Sequence, residues 1–277
     1  RMGSTSVRPA MPYRTITAMG RMDGKRQDVG NLRDMFSAYA KREAKVSHSP
    51  LVLTNGLAEY LSDYPYYCSE QLVSRAIPSL IQRKYPALAI KAKQPSENDP
   101  LASLFTVLRS RQNSHGAIGL WRATASGDDF VTLYTAHYLI EAKENGVAVP
   151  ADLLDNTNRY LKSFAAGGGA NQNYELMLRT YAVYLLTRQG EVTTNLLSSV
   201  QERLQARYGD SWKDDMNIAL YMASSYKLLK MDKQADELLK RPWAQLEKAY
   251  DKAWWTLNYF DPLVQDATAI YMISRHL

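Results

Sequence analysis

The sequence predicts an all-α fold, an (α/α) toroid of paired helices, and three observations predict it. From about Leu32 onward, apolar residues recur at helical spacing with breaks roughly every 12 to 20 residues. No later segment sustains the strict apolar–polar alternation of a half-buried strand. No fixed period of the TPR or HEAT kind runs through the chain, and its 277 residues suit a closed double ring better than an open solenoid.

Residues 1–31 stand apart. They contain Pro9, Pro12, Gly20, Gly24 and Gly30, with an extended-looking run at Tyr13–Met19. They are read as a linker or a strand belonging to a preceding domain, and residues 32–277 as the helical domain. Leu101, Leu104, Phe105 and Leu108 form the first clear stripe, behind Asp99-Pro100. Phe130, Leu133, Tyr134 and His137 repeat the spacing after Asp128-Asp129. Leu153, Tyr160, Leu161 and Phe164 follow Pro150, and Leu178, Tyr181, Ala182 and Leu185 follow Gly167-Gly168-Gly169. Leu197, Val200, Leu204 and Tyr208 make another stripe, and Met216, Ala219, Leu220 and Ala223 begin the next. Pro242 and Pro262 are each read as the start of a closing helix.

Composition narrows the function. The chain is 45% hydrophobic and 22% charged, with a net charge of +6 spread among interspersed signs. A dispersed excess of this size does not point to nucleic acid. No run approaches 18 apolar residues, so no membrane insertion is expected of this domain. Arg1-Met2-Gly3-Ser4 reads as an added leader, and the chain as a piece of a longer protein. The lone Cys68 excludes an internal disulfide and any multi-cysteine metal site, and no cofactor is expected. Gly167-Gly168-Gly169 lacks the following Lys-Ser/Thr of a phosphate cradle. Asp128-Asp129 and Asp214-Asp215 are read as helix caps. Trp254-Trp255 and Tyr259-Phe260 are read as core.

The informative stretch is Tyr64-Pro65-Tyr66-Tyr67-Cys68-Ser69-Glu70-Gln71, followed by the helical run Leu72–Lys84. Residues three apart share one face of a helical turn, so the Cys68 thiol and the Gln71 carboxamide can meet. Displacement of ammonia by the thiol would join Cys68 Sγ to Gln71 Cδ as an internal thioester. Such an acyl group survives only where water is excluded, and Tyr64, Tyr66 and Tyr67 are candidates for that shield. A helix N-terminus would favour the thiolate released on opening. The spacing alone equally fits a buried cysteine in a helical core, the commoner case.

The stretch resembles the thioester signature of alpha-2-macroglobulins and complement proteins, Gly-Cys-x-Glu-Gln, which in bacterial members reads Tyr-Pro-Tyr-Gly-Cys-x-Glu-Gln. Tyr64, Pro65, Tyr66, Cys68, Glu70 and Gln71 match it. Ser6–Thr15, Pro50–Tyr60, Gly116-x-x-Gly119-Leu120-Trp121 and Asn217–Lys230 also resemble bacterial members, so the likeness spans nearly the whole chain. It implies a toroid, a periplasmic setting, other domains in a parent protein, and covalent capture of target proteases. Gln71 would be the acyl donor to protease lysines and Cys68 the leaving thiolate, supported by Glu70, Tyr64, Tyr66 and Tyr67. That is a single-use trap and not an enzyme. The family's glycine before the cysteine is Tyr67 here, and glycine tolerates positive φ where tyrosine does so poorly.

In complement relatives a separate histidine takes over the acyl group. None of His48, His115, His137 or His276 matches that position by motif, and Asn171-Gln172-Asn173 lies only in the general region. Direct transfer to amines is therefore expected, with His137 read as a satisfied core histidine. The alternative is a thioester-less helical module that docks periplasmic partner proteins, which Tyr67 favours. A toroid enzyme is disfavoured, since the aspartate-rich clusters of terpene cyclases are missing.

Overall fold

The computed structural model describes residues 64–85, 100–168, 173–246 and 262–277, with residues 20, 22–24, 42, 44, 46–48, 56–58, 60 and 61 before them. The boundary expected at 31/32, the run Tyr13–Met19, the stretch Ser6–Thr15, most of Pro50–Tyr60, Asn171-Gln172, Trp254-Trp255 and Tyr259-Phe260 lie outside these residues. The helices described below belong to one compact unit, Leu61–Leu277.

They are α1 (Ser69–Lys84), α2 (Pro100–Arg111), α3 (Asp129–Glu144), α4 (Ala151–Ala166), α5 (Asn173–Arg188), α6 (Thr194–Tyr208), α7 (Met216–Leu228), α8 (Asp232–Leu246) and α9 (Pro262–His276), with a 3₁₀ segment at Gly209–Asp214. The fold is all-α, as the periodicity predicts. Among the described residues the sole β feature is one antiparallel bridge, Gln112 to Ile118.

Burial sorts the helices into two layers. On α5 every residue from Leu176 to Thr187 is buried, and α7 buries Met216–Leu220 and Met222–Tyr226. Helices apolar on all sides belong inside. The outer helices bury one stripe each: Leu153, Leu154, Thr157, Leu161 and Ala165 on α4, and Leu197, Val200 and Leu204 on α6. The packing order agrees. In the inner layer α1 packs on α3, α3 on α5, α5 on α7 and α7 on α9. In the outer layer α2 packs on α4 and α4 on α6, and α1 on α2, α3 on α4, α4 on α5, α5 on α6 and α7 on α8 pack across the layers. These are the two rings of an (α/α) toroid.

Caps set the starts of α3 and α7. Asp128 Oδ1 accepts from Val131 N–H at 2.9 Å, and Asp215 Oδ1 from Ile218 N–H at 3.1 Å. Pro262 opens α9 as expected, but Pro242 does not open a helix: α8 starts at Asp232 and runs through residue 242. The turn before it is made by Lys230 at φ 62°, with Met231 N–H donating to Tyr226 O at 2.9 Å. That is a left-handed helix stop with no glycine to mark it. Lys227 then fixes the start of α8, with Nζ 3.0 Å from Asp232 and 2.9 Å from Asp236.

The C-terminal halves of three inner helices meet in a polar network. His137 of α3 bonds Tyr181 OH at 2.6 Å through Nδ1 and Tyr271 OH at 3.0 Å through Nε2. Arg188 of α5, with a side chain 2% exposed, pairs with Glu141 at 2.7 Å and Glu144 at 2.5 Å, and donates to Tyr271 OH at 2.7 Å. From α9, Arg275 pairs with Glu144, and His276 Nε2 bonds Tyr184 OH at 2.8 Å. The core reading of His137 is met. His276, near the end of α9, is part of the same cluster.

Candidate functional site

Cys68 is the N-cap of α1, in extended geometry at φ −67° and ψ 162°. The helix begins at Ser69, earlier than the run Leu72–Lys84 suggested, so Gln71 occupies its first turn. There the Gln71 side chain folds back, and its Oε1 accepts from the Cys68 backbone N–H at 3.2 Å. This is the reach-back half of a capping box, which satisfies one of the orphan donors of a helix start. It places the carboxamide beside Cys68. The thiol is buried, 6% exposed, and lies 3.9 Å from Glu70 Oε2. Glu70 Oε1 accepts from Ser74 Oγ at 2.9 Å, and Ser74 Oγ bonds Tyr134 OH at 3.0 Å, tying α1 to α3. Burial raises the Tyr134 pKa, the Ser74 bond acts against that, and the Glu70 charge adds to it.

The three tyrosines do not wrap the thiol together. Tyr64 is half-buried, its ring edge-on to Tyr66 at 5.5 Å, while Tyr66 and Tyr67 are 57% and 53% exposed. The Tyr67 ring is drawn onto Arg75, whose Cζ lies 5.0 Å from its centroid. Lys230 is the one non-glycine residue at positive φ among the described residues, so Tyr67 adopts no left-handed backbone.

The cover over the helix start comes from the turn joining α2 to α3. Leu120 O accepts from Ser69 N–H at 2.8 Å and Ser69 Oγ at 3.1 Å, and Gly119 O accepts from Ser69 Oγ at 2.7 Å. The glycines of this turn are needed. A Cβ on Gly116, at φ +91°, would sit 1.9 Å from Asn156 O, and one on Gly119 would sit 1.9 Å from Arg122 O. Asn113 braces the turn, its Oδ1 accepting from His115 and Ala117 N–H at 3.0 Å each. Leu120 and Trp121, 41% and 60% exposed, emerge beside this contact, so that they and the exposed Tyr66 and Tyr67 flank the helix start.

Sequence reasoning missed Arg111, the last residue of α2. Its Nη1 donates to Tyr67 O at 2.9 Å, Leu120 O at 3.0 Å and Ser69 Oγ at 3.2 Å. An arginine at a helix C-terminus is too common to mark itself in a sequence. Ser69, fully buried, was hidden at the variable position of Cys-x-Glu-Gln.

An (α/α) toroid that presents Cys-x-Glu-Gln at the N-terminus of an inner helix defines the class, a helical domain built around an amide and a thiol in one turn. Comparison with known families and proteins places it further. No family model matches. The "Alpha-2-macroglobulin homolog" of Yersinia pestis is 57% identical over 273 residues, 99% of this chain and 14% of the Yersinia protein. The alpha-2-macroglobulin of Pasteurella multocida is 32% identical over 98% of this chain and 15% of its own length. The chain belongs to the bacterial alpha-2-macroglobulin family, and spans about one seventh of these relatives. Solved structures agree on the fold. A Salmonella alpha-2-macroglobulin variant matches 81% of this chain and 15% of its own at TM-score 0.64 and 19% identity. The Salmonella protein reacted with methylamine matches 82% of this chain and 16% of its own at 0.55 and 17%. Escherichia coli alpha-2-macroglobulin activated by porcine elastase matches 69% of this chain and 17% of its own at 0.52 and 23%.

Proposed function

We propose that this chain is the thioester domain of a periplasmic protease trap. The observation that carries the reading is the Gln71 carboxamide folded onto the Cys68 N–H at 3.2 Å, at the first turn of a buried helix start. The chemistry follows from that placement. Cys68 Sγ adds to Gln71 Cδ, ammonia leaves, and a thioester remains. A lysine amine of a bound protease then attacks Cδ. The Cys68 N–H already points at Oε1, where negative charge develops in either addition, and so acts as an oxyanion donor. The tetrahedral adduct collapses to an amide and expels the Cys68 thiolate at a helix N-terminus, which favours negative charge. The Gln71 acyl group is consumed once, so the domain is a reagent and not an enzyme.

Two relatives in fold bear on this. One was solved after reaction with methylamine and another after activation by elastase. The test is the full-length parent. Its native mass should be lower by one ammonia. Methylamine should add its full mass, leaving the chain one methylene heavier than the unmodified sequence, and release one thiol at Cys68, and a protease should become attached through a bond that survives denaturant and reductant. Cys68→Ala and Gln71→Ala should each abolish all three. A native mass equal to the unmodified sequence would overturn the thioester. In the isolated chain, without a covering domain, the bond should be hydrolysed, leaving free Cys68 and Glu at position 71.

The second reading is a thioester-less module that docks periplasmic partners through Tyr66, Tyr67, Leu120 and Trp121. Their exposure beside the motif favours it. The same mass measurement separates the two.

A further inference from the structure

Position 67 carries the departure from the family signature, a tyrosine in place of glycine. Two arginines hold it. Arg75 lies over its ring at 5.0 Å, and Arg111 Nη1 donates to its carbonyl at 2.9 Å. The same Arg111 nitrogen reaches Ser69 Oγ at 3.2 Å and Leu120 O at 3.0 Å. Its acceptors therefore lie on the residue before Cys68, on the residue after it, and on the turn docked over both. The two N–H groups of Nη1 are shared among these three acceptors, and the planar guanidinium fixes their direction, whereas an ammonium is a mobile point charge. Burial lowers the Arg111 pKa and negative charge on Cys68 acts against that, so the two groups are within electrostatic reach.

We propose that Arg111 is a positioning residue for the Cys68–Gln71 pair: by holding the backbone on both sides of Cys68 to the Gly119–Leu120 turn, it keeps the thiol buried beside the Gln71 carboxamide and lets a tyrosine stand at position 67. The part that concerns bond formation rests on the thioester reading. The geometric half, a thiol kept from solvent, does not.

The experiment uses Arg111→Lys, Arg111→Met and, as a control on the same helix, Arg109→Met, which removes an exposed pair with Asp152 of α4. Native Cys68 in this chain is alkylated with iodoacetamide, and unfolding free energy is measured alongside. Arg111→Met should raise the alkylation rate roughly tenfold or more, the equivalent of losing one charged hydrogen bond. Arg111→Lys should fall between it and wild type, and Arg109→Met should match wild type. In the full-length protein, Arg111→Met should lower the methylamine-released thiol in the same order. Equal alkylation of wild type and the Arg111 variants would overturn the proposal, as would an increase accounted for by global unfolding alone. If Arg111→Met does not fold, the lysine variant decides by the same comparison. If wild-type parent releases no thiol with methylamine, the thioester reading fails by itself, and the alkylation rates still decide the part played by Arg111.

Discussion

At the scale of single residues, the helix start is held by groups whose chemistry differs from their packing role. Cys68 fills an N-cap position, for which serine is a better residue than cysteine. Its burial is that of a small side chain, 6% exposed, so an isosteric hydroxyl should fit. Cys68→Ser is therefore expected to change unfolding free energy by no more than about 1 kcal/mol while removing all amine reactivity. Urea denaturation read beside methylamine uptake checks both halves. A loss above roughly 2 kcal/mol would mean the sulfur is a core group first and a reagent second. Gln71 is legible in the same terms. Its position three residues after the cysteine foretold the shared turn, and the fold-back onto the Cys68 N–H adds what spacing could not supply.

At the scale of elements, the turn between α2 and α3 positions the start of α1. Gly116 shows how tightly. A Cβ there would overlap Asn156 O at 1.9 Å, and the backbone is at φ +91°. Gly146, at φ +76°, has nothing within 4 Å of the same atom. Gly146→Ala should thus cost only the left-handed backbone, about 1 kcal/mol. Gly116→Ala adds a backbone overlap and should cost about 2–4 kcal/mol. Comparing the two by urea denaturation separates strain from collision, and equal losses would show that the turn yields to admit the methyl group.

At the scale of the whole helical unit, the network of α3, α5 and α9 joins helices far apart in sequence. Its histidines are neutral donors and acceptors. Burial pushes the His137 pKa down to about 3, with the Arg188 charge adding and Glu141 opposing. His276 is pushed to about 4, again by burial first and Arg188 second. An unfolded histidine titrates near pH 6.5, so on acidification the unfolded chain takes up protons that the native one refuses. Stability should be level above about pH 7 and fall between about pH 6.5 and 4, by up to about 1.4 kcal/mol per pH unit for each histidine. His137→Gln should flatten part of that slope even though it lowers stability at pH 7.5. Urea midpoints taken from pH 7.5 to 5 check this, and parallel profiles would show that His137 is not the titrating group.

Helical spacing, the caps Asp128 and Asp215, and the Cys68-x-x-Gln71 interval were all determined locally, and each could be read from the sequence because its physics acts within a turn or two of chain. Pro242 shows the limit of such reading. A proline marks a helix start on average, but the turn that opens α8 is a left-handed Lys230, which no residue type announces. The tyrosines show a related limit: the Tyr67 ring lies against Arg75 and is largely exposed, a contact that the run of tyrosines does not announce. Arg111, Ser69 and the Gly119–Leu120 turn come together only when α2 folds back beside α1, some 40 residues away in sequence. The sequence by itself determined which thiol and which carboxamide share one helical turn. Tertiary structure decided what holds them in place, because hydrogen bonds between distant segments depend on packing that no local pattern encodes.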